Sequence, residues 1–266
     1  MISNMMIEIT TECTRRCPIC EASIGDRPIE RLEVSTGLAI LKALHSEGVT
    51  SFSFTGGEPL THKAALVEFL RWSSSRDVAT RIYTNGDLAT SAYVDELAPY
   101  LSDVVLSLDT LDEEVAARLR GSRGCIEAAI AALDAFVEAG VPVNVISVFS
   151  SVTGSTLPAL GEYLSSRSIS AWWIQQLIPQ GRGQEMAGQI GVDHEEFESA
   201  VSSLPSSFGG RIRVFPAVGA TRHRVFVNCR ANLVEYDTGV ELGSVMDRSA
   251  RRRVLADDTY ANTRRD

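Results

Sequence analysis

The sequence predicts an α/β fold, a partial (β/α)6 barrel of the TIM type with a small C-terminal α+β cap, and three observations predict it. Short β-branched apolar runs alternate with longer amphipathic stretches, the rhythm of parallel strands joined by helical crossovers. The polar and glycine-rich clusters fall after the C-terminal ends of those runs, the rim on which barrels of this kind carry their chemistry. A length of 266 residues, 44% of them hydrophobic and 22% charged, is enough for one large domain, or a domain with an appendage, around a sizeable core.

Taken in order, strands are predicted at Met6–Thr10, Ser51–Thr55, Ala79–Thr84, Val104–Leu108, Val143–Phe149 and Trp172–Leu177. Helices are predicted near Thr36–Glu47, Lys63–Ser74, Ser91–Ala98, Ile126–Ala139 and Thr156–Ser166. Ile126–Ala139 is the clearest, with Ile126, Ile130, Leu133 and Val137 at helical spacing and Gly140 as a stop. Six strands are two short of a closed eight-fold barrel. From Gln184 the character changes, so residues 1–183 are expected to form the barrel and 184–266 an extension. The extension should hold a helix at Asp193–Ser203 capped by Asp193, a loop at Ser206–Gly210 and a strand at Arg211–Phe215. A β-hairpin should follow, from Val225–Cys229 and Leu233–Leu242 with its turn at Asp237–Gly239. Arg251–Arg253 and Arg264–Arg265 read as a solvated or frayed terminus.

The formal net charge of −9 argues against a nucleic-acid-binding surface. No apolar run approaches the roughly 18–20 residues needed to span a bilayer. The N-terminus has no basic segment leading into an apolar one, so a cytoplasmic location is expected. Reduced thiols fit that compartment.

Of five cysteines, three fall inside the octet Cys13-Thr-Arg-Arg-Cys17-Pro-Ile-Cys20. Thiolates are soft ligands suited to zinc, copper(I) or iron–sulfur clusters. Three are too few to close a four-coordinate structural zinc site, and the next histidines, His45 and His62, have no zinc-finger spacing. A cubane iron–sulfur cluster normally takes four cysteines, so three would leave one iron open. The blander readings are a zinc site completed by a distant histidine, or a redox or disulfide motif.

With Ile19 before the last cysteine, C-x3-C-x2-C resembles the signature of the radical S-adenosylmethionine (radical SAM) superfamily. The resemblance implies a [4Fe–4S] cluster on Cys13, Cys17 and Cys20, with SAM chelating the open iron and Ile19 near its adenine. Gly56-Gly57-Glu58-Pro59 is similar to the family's cradle for the methionine amine, although alone it is only a Gly-Gly turn. Thr84-Asn85-Gly86 looks like the family's SAM-contacting edge; its plain alternative is an Asn-Gly turn. The resemblance places Ser107 on the SAM ribose or carboxylate, and Arg120, with Arg118 as competitor, on the carboxylate. Asp109 is either a ligand or a helix N-cap. Asn144 or Ser147 would make a ribose contact, and the main chain near Leu177, in Leu177–Gly183, would meet the adenine edge. Trp172 and Trp173 are expected to pack in the core or at the rim rather than to act as a functional pair.

The predicted hairpin is similar to the start of the SPASM or twitch extension, whose auxiliary clusters need more cysteines than remain. Cys125 reads as a buried, inert thiol, and Cys229 stands alone. The implied function is an enzyme that reductively cleaves SAM to a 5′-deoxyadenosyl radical and abstracts a hydrogen atom from substrate. That substrate would be a small natural product, nucleoside, sugar or short peptide, and the electron donor a flavodoxin or ferredoxin. The alternatives are a ribosomal-peptide maturase and a non-catalytic metal- or SAM-binding protein. No leader-peptide-binding segment is seen before the barrel, which favours a small molecule. The charged loop Glu21–Glu33 is a candidate gate, with Glu21 or Asp26 as acidic candidates toward substrate.

Overall fold

The computed structural model describes residues 2–204, 212–215, 225–236 and 238–257. Its strands are β1 (Asn4–Thr10), β2 (Ser51–Gly56), β3 (Ala79–Thr84), β4 (Asp103–Ser107), β5 (Val143–Phe149) and β6 (Ala171–Gln176). They continue as β7 (Ile212–Phe215), β8 (Val225–Val227), β9 (Asn232–Glu235) and β10 (Glu241–Ser244). All belong to one sheet in the order β10-β9-β8-β1-β2-β3-β4-β5-β6-β7. From β1 to β7 each strand lies parallel to its chain neighbour, as helical crossovers require. β8 adds parallel to the other edge of β1, and β9 and β10 follow antiparallel. β10 and β7 do not pair, so the barrel is open.

The crossovers carry α1 (Val34–Ser46), α2 (Lys63–Ser74), α3 (Ser91–Leu97), α4 (Glu113–Arg120), α5 (Cys125–Glu138) and α6 (Leu157–Ser165). After β6 come α7 (Gly183–Ile190) and α8 (His194–Ser202), and α9 (Arg248–Ala256) follows β10. Asp193 caps α8 by accepting from the Glu196 N–H at 2.8 Å. Strand alternation divides the sheet into two chemically different faces. Phe52 and Phe54 on β2 point outward and are fully buried with Phe69 of α2 and Ile40, Leu41 and Leu44 of α1. Each such side chain contributes about 1.5–3 kcal/mol by leaving water. The inward face instead carries Glu8, Arg81, Asp103, Asn144 and Trp173, and is a cavity wall rather than a core.

One sequence expectation for the C-terminal part changes and one is refined. Arg251–Arg253 are not a frayed terminus but lie in α9, where Arg251 is buried and donates to the Val245 carbonyl at 2.7 Å. Asp247 caps that helix through the Ser249 N–H at 2.8 Å. The expected hairpin is extended, because Leu233–Leu242 divides about its turn into β9 and β10. The chain turns back after Glu235, whose N–H reaches the Val240 carbonyl at 2.9 Å, so β9 pairs with β8 on one side and β10 on the other. The loop at Ser206–Gly210, Arg211, Asp237 and Arg264–Arg265 lie outside the described residues.

Candidate active site

The loops at the C-terminal ends of the strands and the inner face of the sheet enclose a cavity of about 1220 Å³. Cys13, Cys17, Ile19 and Cys20 face it from the loop after β1, and Gly56 and Gly57 from the end of β2. Thr84 and Asn85 enter from the end of β3, Ser107 from β4, Arg120 from α4 and Leu177 from just after β6. Sequence positions spread over more than half of the chain therefore meet around one space.

The glycine pair has a local reason. Gly56 adopts φ +141°, and a Cβ there would stand 2.1 Å from the Thr10 carbonyl oxygen; at Gly57 it would stand 2.0 Å from that of Glu12. The absence of side chains lets the Gly57 N–H donate to Thr10 O at 2.8 Å and the Glu58 N–H to Glu12 O at 2.7 Å. The end of β2 is thus bonded backbone to backbone onto the start of the cysteine loop. Glu58 itself does not reach the cavity. Its carboxylate is fully buried and accepts from the Leu60 N–H at 3.1 Å, the Thr84 hydroxyl at 2.8 Å and the Asn85 N–H at 2.8 Å. Burial pushes its pKa up to about 7, against the lowering effect of those three donors.

Within the cysteine loop the Cys20 N–H donates to Cys17 O at 3.1 Å, and the Arg15 N–H approaches Cys13 Sγ at 3.4 Å. Burial, with smaller contributions from Glu58, Cys17 and Cys20, pushes the Cys13 thiol up to about 11. Burial thus favours the protonated thiol, and a metal binding there would displace the proton. Among the described residues, no three His, Cys, Asp or Glu side chains come together closely enough to hold a metal ion. One tetrahedral ion, with metal–sulfur bonds of about 2.3 Å, would need its sulfurs within about 4 Å of each other. A cubane is different, because each thiolate binds a separate iron and the sulfurs stand further apart. Three soft donors on one loop, facing a cavity rather than a fourth protein ligand, fit such a cluster.

A model of the radical SAM superfamily matches residues 7–164, more than half of the chain. The chain belongs to the radical SAM superfamily. It is 29% identical over 198 residues to the Fe-coproporphyrin III synthase of Methanosarcina barkeri, covering 74% of this chain and 49% of that protein. It is 31% identical over 183 residues to a probable GTP 3′,8-cyclase of Methanopyrus kandleri, covering 68% of this chain and 58% of that one. The chain thus spans about half the length of the curated relatives it matches. Its fold is similar to that of Streptococcus suis SuiB solved with S-adenosylmethionine: the TM-score is 0.75 at 17% identity, over 97% of this chain and 66% of SuiB.

Ile19 and Leu177 belong to one small buried apolar cluster with Leu119 and Ile190. Arg120, not the exposed Arg118, faces the cavity. Its guanidinium grips Asp109 through two bonds of 2.5 and 2.8 Å, and Asp109 also accepts from the Val148 N–H at 2.8 Å. Asp109 is therefore an anchor for Arg120, and the N-cap of α4 is Asp112. Burial alone would lower the Arg120 pKa, but Asp109 and then Cys17 raise it overall. Neither β5 candidate stands at the rim. Asn144 faces the cavity at the strand's start, bonded to Asp103 at 3.2 Å, whereas Ser147 points outward to Leu108 O and the Trp172 ring N–H. Asp26 is held by Arg16 and Arg182, and Glu21 meets the Tyr236 hydroxyl. Cys125 is buried in the first turn of α5, and Cys229 Sγ lies 3.3 Å from Glu8 O.

Sequence reasoning missed several residues. Trp173 packs as expected, in a buried cluster with Val105 and Ala171, but it also lines the cavity beside Tyr83, with ring centroids 6.3 Å apart, and Arg81 lies 5.1 Å over it. Glu8 is a buried carboxylate on the wall, paired with Arg27 at 3.1 Å. Period-two alternation could have put both on the inner face, but not said that this face encloses a cavity.

Proposed function

We propose that this chain uses a [4Fe–4S] cluster and SAM to abstract a hydrogen atom from a small-molecule or short-peptide substrate. The observation that supports it is the convergence of the three thiols, the glycine cradle and the Thr84–Asn85 edge on one cavity. Cys13, Cys17 and Cys20 would hold three irons. Gly56 and Gly57 would meet the methionine end of SAM through their backbone, and Thr84, Asn85, Ser107 and Arg120 its polar flank. Glu58, behind this cradle, ties the residue after the glycines to Thr84 and Asn85. When bound, the two cofactors supply one-electron cleavage of the sulfonium and hence a carbon radical that can attack an unactivated C–H.

The chain's own residues position and protect. The Ile19–Leu119–Leu177–Ile190 cluster excludes water beside the proposed adenine site. Arg120, anchored by Asp109, presents a fixed positive charge at the rim. Below, Tyr83, Trp173, Arg81 and Asp103 line the part of the cavity left for substrate. In this reading residues 1–183 form the catalytic barrel and 184–266 the extension that flanks it. The electron donor would be a flavodoxin or ferredoxin, in the cytoplasm. Among the described residues no helix is long and apolar enough to cross a membrane. The relatives' names denote porphyrin and GTP chemistry, so the fate of the substrate radical rests with the cavity wall.

Anaerobic reconstitution with iron and sulfide, followed by dithionite and SAM, tests the reading. The chain should release 5′-deoxyadenosine, and Cys17→Ala should release none. Stoichiometric zinc with no brown absorbance, or undiminished product from Cys17→Ala, would overturn it.

A further inference from the structure

Of the three residues between Cys13 and Cys17 that the motif leaves unspecified, Arg15 and Arg16 each hold a carboxylate, and the two pairs differ in kind. Arg16 reaches Asp26, which also takes Arg182 at 2.7 Å, but Arg16 is 69% exposed and Asp26 34%. A solvated pair of that sort holds little. Arg15 is the opposite case, with a side chain only 3% exposed and Asp87 as its ion-pair partner. Asp87 accepts from Arg15 Nε at 2.9 Å and Nη2, and from the Thr14 hydroxyl at 2.7 Å.

Asp87 also ties two halves of the site together. Its own N–H donates to Asn85 Oδ1 at 2.9 Å, and the Asn85 amide donates to Thr14 Oγ1 at 3.0 Å. The Asn85 N–H in turn is held by buried Glu58, the residue that follows the glycine pair. One continuous set of hydrogen bonds thus runs from the loop that carries Cys13 and Cys17, through Asp87 and Asn85, to Gly56–Glu58. A buried guanidinium deprived of its carboxylate must find water, and the loop it sits on would have to move with it.

We propose that Asp87 is a positioning residue: through Arg15 and Thr14 it sets the cysteine loop against the SAM cradle, and so fixes the geometry between cluster and SAM. The proposal rests on the cofactor assignment above. It separates holding the cluster, which the thiols do, from orienting it, which Asp87 does.

The test compares wild type, Asp87→Asn and Asp103→Asn after anaerobic reconstitution. Asp103→Asn breaks the Arg81 ion pair at the far end of the same cavity, and so controls for the loss of a wall salt bridge. Iron content, the electron paramagnetic resonance spectrum of the reduced cluster, and SAM affinity from the change SAM induces in that spectrum are measured. Asp87→Asn should keep its iron, show a displaced or broadened spectrum, and bind SAM at least tenfold more weakly. Asp103→Asn should match wild type in all three. A wild-type spectrum and SAM affinity in Asp87→Asn, or equal losses in both variants, would overturn the proposal. Should Asp87→Asn not fold, the neutral pair Arg15→Met with Asp87→Leu leaves no charge stranded; it should retain iron with an altered spectrum, and an unaltered one would equally overturn the proposal. A wild-type chain that takes up no cluster would bring down the cofactor assignment and this proposal together; a loaded wild type beside an unchanged Asp87→Asn brings down only the latter.

Discussion

Glu58 shows how much one carboxylate can hold when it is buried among three donors. Its folded-state pKa, about 7, lies above the ordinary value of 4.5, so the protonated form favours folding. That contribution is complete below 4.5 and is lost as pH rises through about 7. Denaturant unfolding should therefore show wild-type stability falling between pH 5 and 8, beyond the trend of a Glu58→Gln chain. Parallel pH profiles for the two would contradict the burial. The residue also marks a limit of sequence reading. Gly56-Gly57-Glu58 announced a cradle because the motif is contiguous, but no motif says whether a side chain faces a cavity or the core. Asp87 and Arg182 were harder still, since their partners lie 72 and 165 positions away.

At the scale of elements, the strands and longer helices were readable because each repeats its pattern over several residues. β3, β5 and α2 begin and end where the sequence placed them. The missed helices are short and sparsely apolar: α4 buries only Ala116 and Leu119. For α4 and α9 the caps, Asp112 and Asp247, were the available signal, whereas α7 has no side-chain cap. The sheet–helix contact can be tested at Phe54, which is fully buried and stacks on Phe69 with centroids 5.9 Å apart. Phe54→Ala should cost about 3–5 kcal/mol, read from denaturant midpoints. α9 hangs on Glu47 at the end of α1, which takes Arg252 at 2.8 Å, Arg248 at 3.3 Å and Arg251 at 3.4 Å. The Arg252 hydrogen bond leads in holding the Glu47 carboxyl below its ordinary 4.5. The clasp is therefore present above that value and is lost as pH falls through the lowered one. Glu47→Gln should speed amide hydrogen exchange across Arg248–Ala256 at neutral pH, and wild type should match it only in acid.

For the whole molecule, the open sheet explains where the site lies. Parallel strands in chain order carry their C-terminal loops to one rim, so the motifs meet there although they are far apart in sequence. This was readable in advance. The pairing of β7 with β6 and of β8 with β1, which extends the sheet at both edges, was not, because strand order beyond the regular repeat leaves no local pattern. The central claim is that three thiolates leave one iron open beside the glycine cradle. Its most direct measurement is the paramagnetic resonance spectrum of the reduced, reconstituted protein titrated with SAM bearing ¹⁷O in the carboxylate or ¹⁵N in the amine. Hyperfine coupling between the cluster and those nuclei is the predicted result. A spectrum that SAM leaves unchanged, with no coupling to either nucleus, would contradict the account.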